Sequence, residues 1–256
     1  MHKRVFLFLS LAFLAAVAAR AATDPMVGDW KLNPQKSKLV DEMKVASVGG
    51  NKYSFDFGGP QAETIVVDGT DQPGMAGTTL SVAAGEGHWV VVRKKGSRIL
   101  LRATWTLLKD GNQLQDDYTQ FAENGPTTHV VYLYDRRGPG ERFAGDWVST
   151  SQQIDSVYLL NVRPFEDGGL SIAVPAEGNT QEVKFDGKDY PQSGSEPGRV
   201  TSARRVNERT VELTDKHGGN VVRTKEMSIS EDGKTLTMTI REPTRTDPNV
   251  LVFERQ

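Results

Sequence analysis

Apolar and polar residues alternate with a period of two along much of this chain. From Arg98 to Leu108, Ile99, Leu101, Ala103, Trp105 and Leu107 fall on one side and Leu100, Arg102, Thr104 and Thr106 on the other. That is the signature of a strand with one largely apolar face. Leu236, Met238 and Ile240 alternate in the same way with Thr235, Thr237 and Thr239. Turn signals separate these stretches. Lys109-Asp110-Gly111-Asn112 and Glu231-Asp232-Gly233-Lys234 carry the Asp-Gly pair that accepts the positive φ of a tight hairpin, and Val48-Gly49-Gly50-Asn51 and His217-Gly218-Gly219-Asn220 mark further turns. After the N-terminal segment no stretch carries an apolar stripe at helical spacing. The chain is predicted to be all-β.

The same landmarks occur twice. Gly28-Asp29-Trp30 recurs as Gly145-Asp146-Trp147, and Asp68-Gly69-Thr70-Asp71 as Asp186-Gly187-Lys188-Asp189. Val131-Tyr132-Leu133-Tyr134-Asp135-Arg136 matches Val250-Leu251-Val252-Phe253-Glu254-Arg255. Between them residues 78–119 lie over 200–241 without a gap, so that Trp105 falls on Met227 and Tyr118 on Ile240. Ordered matches of this kind indicate duplication, with a period longer than the roughly 20–50 residues of a solenoid unit. Each copy is expected to be a domain, 22–140 and 141–256, with the seam at Arg137-Gly138-Pro139-Gly140-Glu141. Hairpin-linked antiparallel strands favour up-and-down barrels of about eight to ten strands each, because closure removes exposed edges.

The first residues change the picture of where the protein works. Lys3 and Arg4 precede an apolar run from Val5 to Ala19, and Ala19-Arg20-Ala21 offers a small-x-small cleavage site. Residues 1–21 therefore read as a signal peptide, with the mature protein periplasmic or extracellular and without stable membrane insertion after cleavage. There is no cysteine, hence neither a lipidated cysteine nor a disulfide. Cleavage removes Lys3, Arg4 and Arg20 and no acid, leaving 28 of the 31 basic residues against 33 acidic ones, a formal charge of −5. A mildly acidic chain argues against a nucleic-acid partner. The basic run Arg93-Lys94-Lys95 reads as an exposed strand end. Several strands are too short or too polar for an outer-membrane barrel.

Each copy opens with Gly-x-Trp and ends on Arg. If each closes on itself, Trp30 lies against Arg136 or Arg137, and Trp147 against Arg255, with the guanidinium stacked on the indole. This pattern resembles the lipocalin-like (calycin-type) β-barrels, where an Arg near the end covers a first-strand Gly-x-Trp. The segments at 186–191 and 231–237 are similar to those of tandem lipocalin-like domains in exported bacterial proteins. The resemblance implies two barrels, either of which holds a small apolar molecule or is filled by its own side chains.

Candidate chemistry is sparse. His88, His129 and His217 form no metal-ligand spacing, and only His129, on the last strand of the first copy, suggests a haem ligand. Asp68, Asp71, Asp186 and Asp189 do not follow the calcium-loop spacing and read as turn residues. Neither a nucleophile elbow nor a phosphate loop is present. Asp116 and Asp117 are neighbours on a strand and point to opposite faces, so they do not form an acid/base pair. No catalytic residue, metal or cofactor is assigned. The candidate ligand-facing residues are Trp105, Tyr118 and Tyr132 in the first copy and Met227 and Met238 in the second; Trp30, Arg136, Trp147 and Arg255 are assigned to barrel closure. The expectation is a non-enzymatic binder of a small apolar or amphipathic molecule. Its rivals are an interaction or envelope-structural module with solid barrels, and an enzyme using a lone buried carboxylate.

Overall fold

A computed structural model describes residues 24–58, 61–122, 125–194 and 197–256. The signal segment, residues 1–21, lies outside the described residues. Twenty antiparallel strands carry the fold. The first ten are β1 (Gly28–Leu32), β2 (Glu42–Gly49), β3 (Lys52–Asp56), β4 (Glu63–Val66), β5 (Gln72–Pro73), β6 (Thr79–Ala84), β7 (His88–Lys95), β8 (Arg98–Leu108), β9 (Gln113–Ala122) and β10 (Gly125–Arg137). They are followed by β11 (Gly145–Ile154), β12 (Leu159–Phe165), β13 (Gly169–Val174), β14 (Asn179–Val183), β15 (Tyr190–Ser193), β16 (Arg199–Asn207), β17 (Thr210–His217), β18 (Asn220–Ile229), β19 (Thr235–Arg241) and β20 (Asn249–Arg255). The helical elements among the described residues are 3-10 turns at Met75–Gly77, Lys109–Gly111 and Pro175–Glu177. No helix among these residues is long and apolar enough to cross a membrane.

The strands form two ten-stranded sheets. One is a closed barrel in the order β1-β12-β13-β14-β15-β16-β17-β18-β19-β20; the other runs β4-β3-β2-β11-β10-β9-β8-β7-β6-β5 and nearly closes. At its gap the side chain of Gln72 imitates a backbone neighbour. Its Nε2 donates to Val66 O (2.7 Å) and its Oε1 accepts from Val66 N (2.8 Å), while Gly69 N donates to Val82 O (2.9 Å).

The sheet boundary differs from the repeat boundary by one strand. β2 to β11 make the first sheet, and β1 crosses to seal the second barrel between β12 and β20. This corrects the expected stacking partners. Arg255 lies over Trp30, with its guanidinium carbon 4.1 Å from the ring centroid, and Arg136 lies over Trp147 at 4.2 Å. The exchange works because both copies present the same acceptors. Trp30 Nε1 donates to Met26 O (3.0 Å) and Trp147 Nε1 to Phe143 O (2.9 Å). Arg255 then donates to the carbonyls of Gly233, Val27 and Pro25, and Arg136 to those of Gly111, Ala144 and Arg142. Gly in Gly-x-Trp is a matter of close approach. A Cβ on Gly28 or Gly145 would strike Nη1 of the covering arginine.

Residues 33–41 carry the chain from one sheet to the other and are pinned along the way. Lys38 and Val250 exchange two backbone hydrogen bonds (2.7 and 2.8 Å), and Val40 N donates to Asn249 Oδ1 (2.6 Å). The cores follow the sheets. Trp30, Leu32 and Met26 pack with Leu160, Val162, Met227 and Phe253, whereas Trp147 and Phe143 pack with Trp89, Trp105 and Leu114. Val130 and Ile154 of the first sheet join the core of the second, so the two interiors meet.

Candidate ligand cavity

The first sheet surrounds a cavity of about 480 Å³. Its wall is mostly apolar, with Met43, Leu80, Val91 and Ala103 from the sheet itself, Phe57 from just beyond β3, and Leu32 and Leu251 from the neighbouring barrel. Trp105, Tyr118 and Tyr132, singled out from the sequence, all line it. They come from the inward sides of β8, β9 and β10, where alternate residues share a face.

Across these three strands one row matters most. Trp105 pairs with Asp116 in the β8–β9 ladder, and Asp116 with Tyr132 in the β9–β10 ladder. Directly opposed residues on one face bring their Cβ atoms to within about 4.5–5.5 Å. Asp116 is only 6 % exposed, and neither its Oδ1 nor Trp105 Nε1 has a partner at hydrogen-bond geometry. Tyr132 lines the same cavity, with its ring centroid 5.8 Å from that of Tyr134. Burial, reinforced by the charges of Asp41 and Asp117 and opposed by the nearby Trp105 indole, pushes the Asp116 carboxyl up to about 8. Adjacent positions put Asp116 and Asp117 on opposite faces of β9, and of the two only Asp116 lines the cavity.

Of the other charges at the wall, Glu63, Arg93, Asp41 and Arg245 are paired, and Glu177 accepts from the Tyr158 hydroxyl and Asn179 Nδ2. Arg93 holds Glu63 through both carboxylate oxygens and also donates to Thr78 Oγ1 (3.0 Å). It is therefore not part of an exposed basic strand end; its side chain is 16 % exposed and turned inward, while Lys94 on the opposite face pairs with Asp71 at 2.8 Å. Arg245 binds Asp41 (2.6 Å), whose other oxygen accepts from the Tyr134 hydroxyl (2.7 Å). Burial and neighbouring carboxylates raise the phenols as well, Tyr118 to about 12.

The second barrel has a cavity of about 370 Å³ with a different wall. Lys225 Nζ lies 2.8 Å from Asp215 Oδ2 and 3.0 Å from Gln181 Oε1, and Asp215 Oδ1 accepts from Thr201 Oγ1 (2.8 Å). Met238 lines this space, whereas Met227 is wholly buried in the core and does not reach it. Gln120, Tyr158, Glu177 and Leu251 border both cavities.

The other candidates lie elsewhere. His129 sits outside the cavity between Asp117 (3.0 Å) and Asp155 (3.5 Å), and is not placed as an interior haem ligand. Asp68 accepts from Thr70 N (2.9 Å) and Asp186 from Lys188 N (3.1 Å), as turn residues do. Asp71 and Asp189 pair with Lys94 and Lys216 in matching positions of the two copies. Among the described residues no three His, Asp or Glu side chains are grouped to hold a metal. No protein-family model and no curated protein matches this chain, so its two ten-stranded sheets and the cavity between Trp105 and Tyr132 are known from its own residues.

Proposed function

We propose that the protein is an exported, lipocalin-like binder of a small, largely apolar molecule, held in the first sheet next to Trp105, Tyr118 and Tyr132. The observation that carries this reading is the cavity of about 480 Å³. Its size is within the roughly 300–1,000 Å³ of small-molecule sites, which are likewise apolar with a few placed polar groups. The all-β, ten-stranded architecture and the duplicated Gly-x-Trp/Arg closure support the lipocalin-like assignment. Export rests on residues 1–21, and N-terminal sequencing of protein recovered outside the cytoplasm should begin near Ala22.

A purely interacting module is less well supported. The large exposed apolar residues, among them Val48, Val157 and Val206, are scattered along the chain rather than drawn from one strand face. Binding is tested with Nile red, a neutral dye that brightens in apolar surroundings. Saturable brightening at one dye per chain, lost in A103W, which fills the cavity, is the expected result. Unsaturable brightening, or brightening unaffected by A103W, overturns the reading.

A further inference from the structure

Resting on that reading, we propose that the polar end of the ligand is a neutral carbonyl oxygen, received by the Trp105 indole N–H and the carboxylic acid O–H of Asp116. Tyr132 is third in the same row. The cavity thus selects an uncharged ketone, aldehyde or ester over an alkyl carboxylate or an alkylamine of the same length.

The duplicated barrel provides the internal comparison. The row Trp89, Trp105, Asp116, Tyr132 across β7 to β10 is matched across β17 to β20 by Val211, Met227, Met238 and Leu251, in the same ladder order. The fold therefore closes and packs with four apolar residues at these positions. It does not require an acid flanked by an indole N–H and a phenol. A buried polar group without a partner is costly, and two adjacent ones, Trp105 Nε1 and Asp116 Oδ1, in an apolar wall mark a place built for another molecule.

The donors determine which molecule. Trp105 Nε1–H only donates, and Asp116 in its neutral form donates through its O–H, so an acceptor oxygen satisfies both. An ammonium group would leave the indole unpaired. A carboxylate would meet a wall that is already negative. Asp41 and Glu63 are matched by Arg245 and Arg93, while Glu177 accepts from the Tyr158 hydroxyl and Asn179 Nδ2. Asp117, from the outer face of β9, and the phenols of Tyr118, Tyr132 and Tyr134 complete the titratable groups around Asp116. Among the described residues no cation is counted among the charges acting on Asp116.

The test displaces Nile red from the full chain with 2-dodecanone, dodecanoate, dodecylamine and dodecane at pH 7. The ketone should bind about tenfold more tightly than the other three. Its affinity should fall about tenfold between pH 7 and pH 9, as Asp116 loses the proton it donates. D116N keeps a donor and should bind the ketone within about threefold of the parent, with the pH dependence gone, and W105F should lose several-fold. The wild-type pH profile needs no variant, so poor folding of either leaves the test intact. A ketone no tighter than dodecane overturns the inference while leaving a binding cavity. So does a dodecylamine affinity that is the highest and rises toward pH 9, which would make Asp116 an ionised partner for ammonium. Failure of Nile red and all four compounds to bind overturns both this inference and the reading beneath it.

Discussion

Asp116 Oδ1 is buried without a partner among the described residues, and its cost should be visible in stability as well as in binding. Its carboxyl is raised to about 8 in the fold and is near the ordinary value of 3.8 when unfolded. Below pH 4 both states hold the proton; between about 4 and 8 only the folded state does. The contribution of Asp116 to stability is therefore fully present below pH 4 and is lost as pH rises through 8. D116N removes this dependence, and its advantage over the parent should grow from pH 4.5 to pH 8 to a few kcal/mol in urea unfolding. Lys225 poses the opposite case. It is buried, and desolvation pulls its pKa down against the raising effect of Asp215. K225M strands the Asp215 carboxylate and should cost about 3–5 kcal/mol, whereas K225M combined with D215L should recover most of that loss. Trp105, Tyr118 and Tyr132 were legible as cavity residues because period-two alternation fixes which side chains share a face. Asp116 was not, since the sequence shows a strand acid without showing that no cation reaches it. The ladder register supplies that information.

Among the elements, β1 is where sequence and structure part. Its Gly-x-Trp was readable, and so was the stacking of an arginine on each indole. Which arginine was not. The two copies carry near-identical acceptor carbonyls around Trp30 and Trp147, so local residues do not distinguish Arg136 from Arg255 as the cover for Trp30. The choice is made by residues 33–41, whose bonds to β20 hold the crossing segment against the far barrel. A double-mutant cycle reads the pairing directly. W30F with R255A should show a coupling of about 0.5–1 kcal/mol, and W30F with R136A none. G28A, which pushes a methyl into the Arg255 guanidinium, should destabilise the second barrel by about 1–3 kcal/mol and leave Nile red affinity in the first sheet within twofold.

At the scale of the molecule, the two sheets share a seam of side chains rather than standing apart. Val130 and Ile154 reach into the second core, and Tyr158 and Glu177 border both cavities. Removing residues 1–33 takes away the strand between β12 and β20 and exposes two barrel edges. The truncated chain should lose the protection of β12 and β20 amides in hydrogen exchange while β8 and β9 remain protected. The position of β1 also fixes where the chain ends. Gln256 N donates to Asp29 O at 2.9 Å, so the C-terminus lies beside the first described strand. A short linker from Gln256 to Asp24, with new ends opened between Asp155 and Ser156, would run β12 through β20 into β1 and then β2 through β11. Each sheet would become one uninterrupted stretch of sequence. Such a circular permutant should fold with the parent's Nile red affinity. In that order the strands read as two consecutive meanders, and no strand has to cross between them.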